Sequence, residues 1–213
     1  MHAKERMMKR LIATAALATL VASPVLAQSY PGVPDAGPYL GAGIGHAKLD
    51  FNIEGFYRDL GFPNVSSDDT DVSYKLFAGY QFNPYFAVEA GYVDFGSFTA
   101  SSTAAGFSGD AKLSVDGFTA ALVGKLPIQS GFSVYGKLGM VAWDADLKES
   151  ASFMGMSASA SYGEDGTDPF YGIGAEYVVN QIVMRAELER YDISESGEDF
   201  TIDMISGSIG YRF

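Results

Sequence analysis

The C-terminal segment of the chain alternates strictly between two kinds of side chain. One face of an extended strand would carry Phe213, Tyr211, Ile209, Gly207 and Ile205. The opposite face would carry Arg212, Gly210, Ser208 and Ser206. One face therefore suits hydrocarbon and the other suits water, which is the pattern of a strand in a transmembrane β-barrel.

The N-terminal segment has the pattern of a secretory signal peptide. A positive region (Lys4, Arg6, Lys9, Arg10) precedes the short apolar run from Leu11 to Val21 and the cleavage pattern Val25-Leu26-Ala27. The run is too short for a membrane anchor helix, which needs about 20 residues. We predict a signal peptide over 1–27 cleaved near Ala27/Gln28, a periplasmic arm over 28–37, and a barrel over 38–213.

Composition narrows the class of protein further. The 213 residues carry a net charge of -12 and no cysteine. An acidic chain is unsuited to binding nucleic acid. After the signal peptide no apolar run approaches the length of a spanning helix, so membrane residence would have to be by strands. Together with the signal peptide, this predicts a protein of the bacterial outer membrane.

Period-two segments separated by turns predict an all-β chain. We assign eight strands, at 39–51, 72–82, 85–95, 117–126, 132–144, 170–179, 181–191 and 200–213. Very short connections alternate with long acidic ones near 52–71, 96–116 and 145–169 and a shorter one near 192–199. In an eight-stranded antiparallel up-and-down transmembrane β-barrel, this places every short turn on one rim and every long loop on the other.

Charge placement indicates which face meets lipid. The apolar faces of the strands carry charge only toward the long-loop ends, at His46, Lys48, Asp94, Asp144, Arg190 and Asp203. A charged side chain on the lipid-facing wall destabilises the barrel strongly at the bilayer midplane and only slightly near the interfaces. The placement of these charges therefore predicts that the apolar faces of the strands point toward lipid. A soluble, lipocalin-like barrel with an apolar interior is the alternative. Aromatic residues at both rims favour the membrane barrel.

Several stretches resemble the transmembrane domain of the OmpA family. They are Pro38 to Gly45, Gly79 to Tyr85 with Glu89 and Gly91-Tyr92, Lys137 to Trp143, Gly174 to Tyr177 with Arg185, and Gly210 to Phe213. The resemblance implies an ion-pair network of Glu89, Lys137, Glu176 and Arg185 inside the barrel. The family's gating lysine falls at Val123, with Lys125 one layer away, and this departure argues against the family's gate mechanism here. The family's peptidoglycan-binding domain is expected to be absent.

The interior charges allow two functions. An eight-stranded barrel is just wide enough to be filled by side chains, so the network would close the lumen. We therefore expect a structural or surface-interaction role, with a small gated porin-like channel for ions or small solutes as the alternative. Further lumen charges are expected at Lys75, Lys125, Glu187, Glu189 and Arg212. Glu187 and Glu189, nearer the long loops, favour a solvated rim, with an acidic vestibule as the alternative, and Trp143 is expected in the lumen near the long loops.

No motif in the chain favours catalysis, a cofactor or a metal. His46 has no triad partner at a definable spacing, and Asp68-Asp69-Thr70-Asp71 suits a solvated acidic loop better than a calcium site. We predict no enzyme activity. The expected partners are outer-membrane lipids and lipopolysaccharide, surface partners of the long loops, and the barrel assembly machinery, which would recognise Phe213, Tyr211 and Ile209.

Overall fold

A computed structural model describes residues 36–50, 65–104, 107–129, 131–153, 156–195 and 198–213. The predicted signal peptide and most of the predicted arm lie outside the described residues. The described strands are β1 (Gly37–Asp50), β2 (Val65–Asp68), β3 (Thr70–Asn83), β4 (Phe86–Ala104), β5 (Phe107–Gln129), β6 (Phe132–Phe153), β7 (Met156–Val179), β8 (Ile182–Glu195) and β9 (Glu198–Arg212).

Eight of these strands form a closed antiparallel ring. The order around the ring is β1-β3-β4-β5-β6-β7-β8-β9, with β9 pairing back to β1. Among the described residues, the short strand β2 pairs with the β4 segment from Thr99 to Ser102 and with no other strand. The predicted eight-stranded up-and-down barrel is therefore confirmed, and closure leaves no sheet edge at membrane depth.

Side chains alternate across the barrel wall as the sequence pattern predicts. Lys137 is 6% exposed and its strand neighbour Leu138 is 64% exposed. Aromatic side chains cluster on the outer wall near both rims: Tyr211 and Phe213 lie 5.0 Å apart at the short-turn end, and Tyr92 and Phe118 lie 5.3 Å apart toward the other end. These positions match the aromatic belts of membrane interfaces.

The short turns use residues that suit tight reversals. Asn180, between β7 and β8, has φ 55°, and Gly131, before β6, has φ 79°. Asparagine and glycine tolerate this left-handed region better than other residues. Between β3 and β4, the Asn83 side chain accepts a hydrogen bond of 2.9 Å from the Tyr85 amide.

The prediction of long loops over 96–116 and 145–169 is wrong, since most of both stretches is strand. β4 continues to Ala104 and β5 begins at Phe107, while β6 continues to Phe153 and β7 begins at Met156. The region near 192–199 is likewise mostly strand. Both faces of β7 are exposed from Met156 to Asp165, so the residues there need not alternate between apolar and polar. Backbone pairing continues without the period-two signal that marks a half-buried strand.

Near the start of β3, the Asp71 side chain links β3 to β4 through hydrogen bonds. Its carboxylate accepts 2.7 Å hydrogen bonds from the amides of Val72 and Ser97, beside Gly96 at φ 83°. The register of β4 shifts between Asp94 and Ser97, so Asp71 satisfies an amide at an irregular point of the ladder. Among the described residues, no helix is long and apolar enough to cross a membrane.

Candidate functional site in the barrel lumen

Among the residues that the structure describes, nine charged side chains are buried in the barrel lumen. They are Lys75, Glu89, Lys125, Lys137, Glu176, Arg185, Glu187, Glu189 and Arg212. Each occupies the strand parity that alternates with the lipid-facing residues, so the backbone alone directs it inward. A buried charge is stable only where it is paired and hydrogen-bonded, so the contacts between these side chains decide what the lumen can do.

Ion pairs link eight of these side chains into one continuous chain, which we call the ionic layer. Lys75 pairs with Glu187 and lies 2.8 Å from Glu189. Lys137 lies 2.8 Å from Glu187, 3.1 Å from Glu189 and 2.7 Å from Glu89.

The chain continues through Arg185 across the barrel. Its Nη1 lies 2.6 Å from Glu89 and its Nε lies 2.8 Å from Glu176. Glu176 accepts a 2.7 Å contact from Lys125, and Lys125 donates to Gln81 at 3.1 Å. Four cations thus meet four carboxylates, and the ionic layer carries no net charge.

Arg185 is also enclosed by aromatic rings. Its Cζ lies 4.9 Å from the ring centre of Tyr39, 4.8 Å from that of Phe77 and 5.4 Å from that of Tyr135. The Tyr39 hydroxyl donates to Glu89 at 3.1 Å. Cation–π contacts strengthen where water is excluded, so the rings hold the guanidinium in one orientation.

The four residues implied by the family resemblance lie together in this layer, but their pairing is broader than expected. Lys137 contacts Glu89 and Arg185 contacts both Glu89 and Glu176, whereas Glu176 takes its second cation from Lys125 rather than Lys137.

The assignment of Glu187 and Glu189 to a solvated rim is wrong. Both are buried, at 3% and 5% exposure, and Lys75 and Lys137 neutralise them. They lie inside because Lys75 and Lys137, on other strands, point into the lumen at the same depth and offer partners that a local sequence pattern does not reveal.

The strand pairs β4–β5, β6–β7 and β8–β9 continue past the aromatic belt to Ala104/Phe107, Phe153/Met156 and Glu195/Glu198, and we call these continuations the extended hairpins. An apolar cluster fills the lumen beyond the ionic layer, toward the extended hairpins. Its members include Leu49, Val93, Phe95, Val115, Trp143, Phe170, Tyr191, Ile193, Ile202 and Met204, all 3% exposed or less. Tyr191 stacks on Phe170 at 4.9 Å and meets Phe95 edge-on at 4.7 Å. We call this cluster the apolar layer.

At the level of the apolar layer, the inward side chains are apolar and the outward ones are charged, which is the reverse of the arrangement at the ionic layer. The inward residues Phe95, Val115 and Trp143 alternate with the outward residues Asp94, Asp116 and Asp144. The wall is thus apolar inside and acidic outside, as in a soluble barrel. Past the aromatic belt the barrel therefore has an apolar interior and a water-exposed outer wall, whereas the part between the belts has a charged interior and an apolar outer wall.

Trp143 lies in the lumen near the extended hairpins, as the sequence predicts. Its indole Nε1 donates a 2.7 Å hydrogen bond to Asp168, and the ring is 2% exposed. Gly166 makes room for it, since a Cβ there would lie 2.5 Å from the ring. The indole thereby keeps its polar atom satisfied while the ring packs in the apolar layer.

The other candidate residues form no chemical site in the described part of the chain. His46 lies on the outer wall with Val72 and Ile205 as its cross-strand neighbours. Asp69 approaches Lys48 at 3.8 Å and Asp71 is used in the β3–β4 contact. Among the described residues, no group of three or more His, Cys, Asp or Glu side chains could hold a metal ion.

Comparisons with known proteins agree with this geometry. The family model described as OmpA-like transmembrane domain matches residues 34–213. Outer membrane protein A of Klebsiella pneumoniae is 28% identical over 82% of this chain and 50% of its own length. Outer membrane protein A of Escherichia coli O157:H7 is 27% identical over 92% of this chain and 54% of its own length. The chain spans about half the length of these curated relatives.

A solved structure has the same fold. Neisserial surface protein A aligns with a TM-score of 0.53 and 16% identity, covering 84% of this chain and all of that protein. At this identity the likeness concerns the fold alone.

Proposed function

Since the chain belongs to the OmpA-like transmembrane-domain family of bacterial outer-membrane β-barrels, we propose that it is a closed barrel with a structural and surface-interaction role. The observation that carries the proposal is that two successive layers of side chains, the ionic layer and the apolar layer, fill the lumen. The ionic layer is charge-balanced and buried. The apolar layer beside it consists mainly of hydrocarbon side chains, and the indole of Trp143 within it is already hydrogen-bonded to Asp168. A continuous water path would have to cross both.

The ionic layer supports closure by its connectivity. Each carboxylate has at least one cation within 3.1 Å, and Glu89 and Glu176 each bridge two strands through Arg185. Moving one side chain to open a path would leave its partners buried and unpaired, which costs about 3–5 kcal/mol for each broken pair.

The surface role would belong to the extended hairpins and the lipid-facing wall. We propose that lipids and lipopolysaccharide surround the outer wall, and that the assembly machinery recognises Ile209, Tyr211 and Phe213, which are exposed on β9 or just after it. We propose export by a signal peptide cleaved near Ala27/Gln28 and periplasmic termini.

We propose no catalytic role. His46 lies among apolar neighbours on the outer wall. A lipid-modifying activity that disappears in His46→Ala would overturn this part.

Conductance in a planar bilayer tests closure. The refolded chain should give no steady current, and Phe170→Ala combined with Tyr191→Ala should raise current bursts by removing the stacked pair from the apolar layer. Phe118→Ala is the matched control, because its ring lies on the outer wall. A difference in gel mobility between the unboiled and the boiled sample shows that a variant is folded. A steady ohmic current in the unmodified protein would favour the small-channel alternative.

A further inference from the structure

The upper part of β7 has an unpaired edge. β7 pairs with β6 from Met156 opposite Phe153 to Tyr177 opposite Phe132, without a register shift. Its pairing with β8 ends at Phe170 opposite Tyr191. Beyond that point β8 pairs only with β9, up to Glu195. Among the described residues, none pairs with the other edge of the segment Met156 to Pro169, which we call the free edge.

Backbone parity identifies the groups that point outward from the free edge. The Val178 amide donates to Gly131, directly before β6, so even-numbered residues of β7 point their amides at β6. In an antiparallel ladder the alternate residues point the opposite way. The amides and carbonyls of Ser157, Ser159, Ser161, Gly163, Asp165 and Thr167 therefore point away from β6.

Pro169 explains where the β7–β8 ladder stops. It has the odd parity that faces β8, and by extension of the register its partner would be Asp192. Proline has no amide hydrogen, so this rung cannot form, and the two strands separate above it. The unpaired edge of β7 therefore begins at Pro169, two residues beyond Tyr171, which is exposed on the outer wall.

In the described part of the chain, the free edge lacks the usual protection against pairing. Natural edges carry lysine, proline, bulges or covering segments. β7 contains no lysine or arginine, and between Ser157 and Thr167 it has neither proline nor a register shift. Its residues from Met156 to Asp165 are exposed on both faces. Small alternating Ser and Ala side chains leave its backbone sterically accessible to another strand.

The charge around the free edge selects its partner. Glu164 and Asp165 are exposed on β7. Asp165 also ends a row of directly opposed aspartates that crosses four strands, Asp94, Asp116, Asp144 and Asp165. A second copy of this chain would bring the same acidic edge and would be repelled, whereas a cationic segment would be attracted.

We propose that the free edge of β7 is a docking site for an extended, lysine- or arginine-rich polypeptide segment, which adds as a strand antiparallel to β7. The proposal rests on the proposed surface-interaction role and names its partner class. Main-chain hydrogen bonds from the odd-numbered residues supply the affinity, and the acidic row supplies the preference for basic sequences.

The test uses the full chain in lipid nanodiscs and a synthetic peptide of about ten residues, enough to follow the edge at about 3.4 Å per residue. The peptide has lysine at alternate positions with threonine or valine between them. Three comparisons probe the backbone and the charge: the same peptide N-methylated at alternate amides, the same peptide with glutamate for lysine, and protein variants. Binding is read by calorimetry and by amide hydrogen exchange.

The expected exchange pattern is alternating. Without peptide, the amides of Ser157, Ser159 and Ser161 exchange fast while those of Ala158 and Ala160 are protected by β6. The lysine peptide protects the first set, and the methylated and glutamate peptides do not. Protection of the first set before any peptide is added would overturn the proposal, because the edge would then be covered.

Matched variants of the protein separate the contribution of the β7 backbone to peptide binding from that of its side chains. Ser159→Pro with Ser161→Pro removes two free-edge amides and no β6 bond, so binding should weaken roughly 25-fold, at roughly fivefold per hydrogen bond. Ser159→Ala with Ser161→Ala should bind like the unmodified protein. Glu164→Gln with Asp165→Asn should weaken binding about two- to fivefold at low salt.

Equal binding by the proline variant, or by the glutamate peptide, would overturn the proposal. Edge protection that rises with protein concentration in the absence of peptide would do so as well, since the occupant would be a second copy. The peptide-binding experiments do not measure lumen closure, and the conductance experiment does not measure peptide binding. Failure of the docking site is therefore distinguishable from failure of lumen closure.

Discussion

Removing the Lys137 ammonium should destabilise the folded barrel more than removing any exposed lysine. Lys137 contacts three carboxylates, at 2.7 Å to Glu89, 2.8 Å to Glu187 and 3.1 Å to Glu189. In Lys137→Met, Glu89 keeps Arg185, but Glu187 and Glu189 are left to share Lys75. Breaking buried pairs in this way costs about 3–5 kcal/mol, and we expect the free energy of unfolding to fall by that amount.

The assay is urea unfolding in lipid vesicles followed by tryptophan fluorescence. Trp143 is the only tryptophan of the chain and is 2% exposed in the apolar layer, so its emission reports unfolding directly. Lys148→Met is the matched control. Lys148 lies exposed on the same strand beyond the membrane belt, and its loss should change stability by less than about 0.5 kcal/mol.

A double variant tests whether charge balance is the cause. Lys137→Met with Glu187→Gln leaves three cations, Lys75, Lys125 and Arg185, facing the remaining three carboxylates. The double variant should therefore be more stable than the sum of the single losses implies, by at least about 1 kcal/mol, because residues in one network couple. If Lys137→Met costs no more than Lys148→Met, or if the two losses simply add, the ionic layer is not a coupled network.

Two further substitutions test the facing of the wall and the close packing within it. Leu138→Arg should lower the free energy of unfolding in vesicles by about 2–4 kcal/mol, because the side chain faces hydrocarbon near mid-strand; an unchanged urea midpoint would mean that the facing is wrong. Gly174→Ala places a Cβ 2.5 Å from the Tyr135 ring and 2.9 Å from the Ala186 carbonyl oxygen, so it should cost about 1–3 kcal/mol. Gly124→Ala, with open space around it, should be tolerated, and equal urea midpoints for the two alanine variants would contradict the packing.

The sequence predicts the wall of the barrel well because lipid and lumen impose opposite demands on alternate residues. Leu138 and Lys137 are assigned correctly from parity alone. The short turns follow from Asn180 and the Asn83-Pro84 pair, whose local chemistry is legible in the sequence.

The errors have physical causes. The period-two pattern does not reveal the extended hairpins, because a strand that is exposed to water on both faces, such as the Ser/Ala stretch of β7, needs no apolar alternation. The local sequence favours a rim position for Glu187 and Glu189, because the lysines that neutralise them come from distant strands. The apolar layer had a visible signal: the outward charges Asp94 and Asp144 alternate with Phe95 and Trp143, which marks a wall that is wet outside and dry within.

Hydrogen exchange of the lysine ammonium groups, followed by nitrogen-detected NMR at neutral pH, tests lumen closure most directly. Lys75, Lys125 and Lys137 are buried in ion pairs, so their ammonium protons should exchange slowly and remain visible. Those of the exposed Lys112 and Lys148 should exchange too fast to be seen. If the lumen lysines exchange as fast as the exposed ones, water reaches the ionic layer freely and the barrel is not closed.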